Sequence, residues 1–225
     1  MEKGARSPAA VGVIARAPSA PGKTRLASHF SAARLRALRA ALAADTLAIA
    51  RAVHGVDRFV FFTPDEADAE IAALAGPSFT RVPQRGDDLG QRMRFAFEDL
   101  LTERTYESAV LVGSDLPLLT TEHFSSAFGS LHADADVIIG PADDGGYYLI
   151  GMRRSHPELF ERIAWGTATV LADTMRAAAR ANLTVNLVHQ SYDVDTIEDI
   201  QRLERDLAAA PRDRAMSVRR WLDSR

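Results

Sequence analysis

Short apolar runs alternate with longer amphipathic stretches almost from one end of the chain to the other. VGVIAR (11–16) is brief, β-branched and apolar up to its final arginine, the pattern of a strand buried on both faces. Between 31 and 53 the period changes. Leu35, Leu38, Leu42, Ile49 and Val53 recur at helical spacing with Arg34, Arg36, Arg39 and Arg51 between them, which predicts a long amphipathic helix. RFVFF (58–62) then predicts a strand, 65–75 a helix, FTRV (79–82) a short strand, and 89–103 a helix with Leu89, Met93 and Phe97 along one side. SAVLVG (108–113) gives the strongest strand signal, and Thr120 or Thr121 is placed to cap a helix near 121–131.

The second half has a different rhythm. ADVIIG (135–140) and YYLIGM (147–152) are predicted strands separated only by PADDGG, too short for a crossover helix. A helix over 167–181, the strand LTVNLV (183–188) and a helix near 196–208 follow, and 210–225 reads as a basic, loosely packed tail. No repeat or linker interrupts the pattern, so 11–209 is expected to form one domain. Repeated β–α units predict a three-layer α/β/α sandwich around a mostly parallel sheet of about seven strands. Ligands of such sheets sit beyond the carboxyl ends of the strands. The segments found there are APSAPGKTRL, SDLP, PADDGG and YDVDT, all polar, acidic or rich in Gly and Pro, and they are expected to share one rim.

Composition narrows the chemistry. The chain has 225 residues and no cysteine, which excludes disulfides, thiolate metal sites and cysteine nucleophiles and suits a reducing cytoplasm. The start, MEKGARSPAA, is not read as a leader, and no stretch approaches the ~20 apolar residues of a membrane span. Residues 1–54 carry a net +7 while the whole chain carries −3. A cationic first part facing an acidic remainder suits an anionic ligand held with a divalent cation. Nucleic acid is not expected, because no basic stripe is interleaved with aromatics.

The loop after the first strand predicts a phosphate site. Gly22 permits close approach of backbone, a helix start adds positive potential, and Lys23 and Arg25 supply two cations. A Walker A loop fits poorly: its first glycine would fall on Ala17, and Pro18 and Pro21 lack the amide donors of such a cradle. Asp115 follows the fourth strand, where a carboxylate can hold Mg²⁺ or Mn²⁺. In PADDGGYY, Gly145 and Gly146 would admit a substrate beside Tyr147, and Asp144 could bind its hydroxyls. Asp193 and Asp195 follow the last strand; either could be a second metal ligand, while Thr196 and Asp199 have the spacing of a capping box.

Together RAPSAPGKTRL, QRGDDLGQRM, GSDLPLL, GPADDGGYYLIGM, WGTATVL and DVDTIEDI resemble, in that order, a bacterial glycosyltransferase-like family, the radical-SAM/selenodomain-associated transferases. The resemblance spans roughly 11–206 and implies the GT-A type nucleotide-diphospho-sugar transferase fold. The chain is also similar to 2-phospholactate guanylyltransferases. The resemblance implies a nucleotide or nucleotide-sugar donor, a small-molecule acceptor, and nucleotide binding by Ala15, Arg16, Ala17, Gly22, Lys23 and Arg25. Base recognition in this fold implies further contacts from 83–94, with Gln84, Arg85, Gly90 and Arg92 available, and from Ser114. Asp87 and Asp88 could meet a guanine edge or cap the following helix. The sequence Ser114-Asp115-Leu116-Pro117 departs from the D-x-D of many metal-dependent glycosyltransferases. Glycosyl transfer, nucleotidyl transfer and a non-catalytic nucleotide-binding module therefore all remain open.

Overall fold

A computed structural model describes residues 8–224, so the first seven residues, including Glu2, Lys3 and Arg6 of the charge count and most of the expected leaderless start, lie outside the described residues. Seven strands form one sheet: β1 (Ala9–Arg16), β2 (Val56–Thr63), β3 (Thr80–Pro83), β4 (Ser108–Gly113), β5 (Val137–Pro141), β6 (Tyr147–Met152) and β7 (Val185–Leu187). Their order is β3-β2-β1-β4-β6-β5-β7, with β6 antiparallel to both neighbours and all other pairings parallel. The five-residue connection between β5 and β6, residues 142–146, is what makes β6 turn back, as its length requires.

The helices are α1 (Ala32–Ala52), α2 (Asp68–Ala75), α3 (Leu89–Phe97), α4 (Thr121–Ala133), α5 (Val170–Arg180), α6 (Ile197–Ala209) and α7 (Met216–Asp223). They cover both faces, and β1 shows why its sequence is so apolar. Ala9, Val11, Val13 and Ala15 join one core with Leu47 of α1, Ile71 of α2 and Phe124 of α4. Ala10 faces the other core, among Phe59, Phe97 and Ala177, on the side of α3 and α5. The period of two along a strand distributes its side chains between two layers. The fold is thus the predicted three-layer sandwich with a mostly parallel sheet.

Three local expectations need correction. The helix expected over 89–103 is α-helical only to Phe97 and continues as a π-helical turn over Glu98–Glu103. The helix expected from 167 begins at Val170, because Gly166 takes a positive φ of 79° and Thr167 turns back to the Ala164 carbonyl. The tail is not loose. Val218 and Trp221 of α7 are buried against Leu38 and Leu42 of α1. The buried carboxylate of Asp45 accepts from the Ser217 and Val218 amides at 3.0 and 2.8 Å, capping α7 from across the core. Eight residues with two arginines in their middle show too little periodicity to announce a helix that tertiary packing stabilises.

Candidate active site

The carboxyl ends of β1, β4 and β5, the amino end of β6 and the segment before α6 meet around a cleft of about 400 Å³. Its charged end is built from extended segments that alternate sides. Tyr192 and Val194 are buried, so Asp193 and Asp195, which alternate with them, face the cleft. Tyr192 anchors this segment through its hydroxyl, which donates to Asp206 at 2.6 Å. Past β4, Leu116 and Leu119 enter the core, and the Leu116 amide donates to the buried Thr46 hydroxyl at 3.1 Å. That bond fixes Asp115 at the strand end, and Thr120 supplies the α4 cap in its place.

Asp115, Asp193 and Asp195 each present an oxygen within 4.8 Å of the others. Lys23 reaches into them: its ammonium pairs with Asp115 and lies 2.6 Å from Asp195, with the side chain 7% exposed. Burial alone would lower its pKa, but the charges of Asp115 and Asp195 outweigh this and hold the ammonium above its ordinary range. Asp193 responds in the other direction. Burial, then the neighbouring Asp115 and Asp195 charges, push its carboxyl up to about 6.

The phosphate loop is held from behind. Arg39 of α1 donates to the carbonyls of Ala17 (2.8 Å), Pro18 (2.9 Å) and Ala20. Its guanidinium lies where a Cβ on Gly22 would come within 3.0 Å, which accounts for the glycine. The helix directly after the loop is a single 3-10 turn, Thr24–Leu26, entered through Lys23 in the left-handed region at φ 54°. The positive end of α1 starts only at Ala32, so the expected helix-start contribution is limited to this turn. Arg16 and Arg25 are exposed on the cleft wall, and Arg25 makes no ion pair among the described residues.

The remaining expected residues divide. Ala15, Ser114, Asp144, Gly146 and Tyr147 line the cleft, and Asp144 accepts from the Gly146 amide at 2.9 Å. The Ala17 amide is already engaged by the Thr63 carbonyl. Gln84 also lines the cleft, but its amide group donates to the carbonyls of Ala15 and Phe61 at 2.9 and 2.8 Å, bridging β1 and β2. Arg85 is outside the cleft, paired with Glu103 at 3.3 Å and lying over the Phe95 ring. Asp88 caps α3 through the Gln91 amide at 2.8 Å. Gly90 and Gly145 act as contact points for other segments, Trp165 and Ala168 respectively. Periodicity and spacing gave no reason to choose Trp165, Leu89 or Met93 as cleft residues, or Arg39 as the clamp of the loop. The WGTATVL motif was the available signal for Trp165.

No curated protein matches the sequence. Among crystal structures, a proposed nucleotide-diphospho-sugar transferase from Desulfovibrio desulfuricans G20 is 32% identical, with a TM-score of 0.88 over 97% of this chain and 95% of that one. A 4-diphosphocytidyl-2C-methyl-D-erythritol synthase from Anaerococcus prevotii DSM 20548 shares the fold at 13% identity and a TM-score of 0.61, covering 89% and 96% of the two chains. CMP:2-keto-3-deoxy-manno-octonic acid synthetase, in complex with CTP, does so at 11% identity and a TM-score of 0.56, covering 89% and 98%. A family match over residues 46–167 takes in Asp115, the Asp144–Gly146 turn and Trp165, and the chain belongs to that family, described as "Uncharacterized protein conserved in bacteria (DUF2064)".

Proposed function

We propose that this chain is a metal-dependent cytoplasmic transferase that takes a glycosyl group from a nucleoside-diphosphate sugar and passes it to a small-molecule acceptor. The observation that carries the reading is the meeting of Lys23 with Asp115, Asp193 and Asp195 at the rim of the sheet, in a cleft also lined by Arg16 and Arg25. The donor set fits Mg²⁺ or Mn²⁺: three carboxylates, with no sulfur or imidazole among them. Such a cation, when bound, supplies charge neutralisation for phosphate oxygens. Lys23 and Arg25 would hold the donor phosphates, the first-strand end and Ser114 the nucleoside side, and Asp144 with Gly146 the hydroxyls of the acceptor. The 32% identical relative supports a sugar donor.

A second reading is favoured by one departure. Only one aspartate follows β4, and the cationic loop after β1 suits a triphosphate whose departing pyrophosphate needs neutralisation. Nucleotidyl transfer of the guanylyltransferase kind would use the same residues. Incubation with Mg²⁺, nucleoside triphosphates, nucleoside-diphosphate sugars and an acceptor panel, read by mass spectrometry, tests both. Nucleoside diphosphate as product supports the first reading and pyrophosphate the second. Nucleotide binding without turnover across the panel would overturn both in favour of a non-catalytic binding module.

A further inference from the structure

The phosphates of a donor and a cation do not account for the apolar end of the cleft. Trp165 forms its wall, stacked on Phe160 with centroids 6.5 Å apart and planes 19° from parallel, and edge-on to Tyr147 at 6.3 Å. Leu89 lines the same cleft at 47% exposure, one of three large hydrophobic side chains exposed among the described residues. Met93, Ile150 and Val170 add apolar lining, and Arg92 and Thr167 line the cleft from the same segments as Met93 and Trp165.

The indole is held in place by backbone. A Cβ on Gly90 would lie 2.2 Å from its Nε1 and 2.4 Å from its Cε2, so the ring rests directly on the first turn of α3. On the other side Gly145, at φ 87°, leaves room for Ala168, whose carbonyl oxygen would be 2.2 Å from an added Cβ. The Gly145 carbonyl also accepts from the Leu171 amide at 2.9 Å. Two side-chain-free positions therefore set the wall carrying Trp165. This wall adjoins β6 and the Asp144–Gly146 turn, whereas the phosphate loop leaves β1, two strands away in the sheet.

We infer that Trp165 is a stacking platform for an aromatic ring of the acceptor, with Gly90 and Gly145 as its positioning residues. Assigning the ring to the acceptor rests on the transferase reading; the platform itself does not. A sugar ring would bring hydroxyls that need hydrogen-bond partners all round its rim, and among the side chains that α3 and residues 165–170 set along the cleft beside Trp165 only Arg92 and Thr167 offer them, against the apolar Leu89, Met93 and Val170. An aromatic ring satisfies the same surface by stacking and burial alone.

The chain contains two tryptophans, and Trp221 lies in a separate core, so its indole N–H signal serves as an internal control. The full chain with Mg²⁺, labelled with ¹⁵N and assigned with Trp165→Phe, is titrated with 2-phenylethanol, methyl glucoside, uridine and guanosine. The expected result is a saturable shift of the Trp165 signal with 2-phenylethanol alone, at least tenfold weaker in Gly90→Ala. Should Gly90→Ala misfold, ligand-detected binding of 2-phenylethanol to Trp165→Leu is expected to fall by the same factor. Absence of a shift, full binding by Trp165→Leu, or an equal response to methyl glucoside or the nucleosides overturns the proposal. Mn²⁺ titration of the same samples keeps the two readings apart, since loss of cation binding would count against the transferase and not against the platform.

Discussion

At the charged end of the cleft, Lys23, Asp115, Asp193 and Asp195 lie two to eight residues beyond a strand, whereas at the apolar end Trp165 meets Gly90 from 75 positions away in the chain. The charged end takes its geometry from the sheet. Parallel strands carry their following loops to one rim, and Arg39 and Thr46 of α1 tie two of those segments down. The apolar end takes its geometry from glycines that let distant segments touch. The first arrangement depends on charges held at fixed strand ends; at the second, an added methyl group on Gly90 or Gly145 would meet Trp165 or Ala168.

The sharpest way to break the comparison is Asp115→Asn. Removing one carboxylate from the cation site should lower turnover on the order of a thousandfold while the fold stays intact. Steady-state kinetics beside a thermal melt checks this, and near-normal turnover at saturating Mg²⁺ would return Asp115 to the role of a turn residue. Gly145→Ala probes the opposite end. Left-handed backbone and the clash with Ala168 should cost about 1–3 kcal/mol of stability. The acceptor KM should also rise, with Mn²⁺ affinity unchanged. A parallel loss of Mn²⁺ binding in calorimetry would show that the two ends are coupled.

Lys23→Met separates the two jobs of one residue. With the ammonium gone from between Asp115 and Asp195, Mn²⁺ should bind roughly tenfold more tightly without nucleotide, since a competing positive charge is removed. Nucleotide affinity should fall, because that charge is no longer there for the phosphates. Paramagnetic resonance of free Mn²⁺ would measure the first effect; unchanged or weaker Mn²⁺ binding would rule out competition between lysine and cation. The smallest effect concerns pH. Because the Asp193 carboxyl is raised to about 6, the native state holds a proton that the unfolded chain has already released. Its contribution to stability is full below about 4 and is lost as pH rises through about 6. Metal-free protein should therefore lose a few degrees of melting temperature over that window, on the order expected for a chain of this size. Asp193→Asn should flatten the loss, and Mg²⁺ should stabilise more above pH 6 than below. An identical slope in Asp193→Asn would assign it to other groups.

What could be read from the sequence followed from local physics. The short, continuous apolar runs of β1 and β4 and the helical period through α1 specified buried strands, a covering helix and hence the sandwich. The short PADDGG connection forced β6 to run antiparallel, and Thr196 with Asp199 already carried their capping box. Strand ends located the loops bearing Lys23, Asp115, Asp144, Asp193 and Asp195, because a β–α unit exposes little else at its carboxyl end. Arg85 lies off the cleft because an arginine in a turn has several reachable partners, and Glu103 and Phe95 captured it. The packing of α7, the Arg39 clamp, the use of Gln84 as a bridge and the Trp165 wall were decided only in three dimensions. Each depends on contacts between segments far apart in sequence, and hydrophobic period and residue type carry no record of which distant neighbour a side chain will meet.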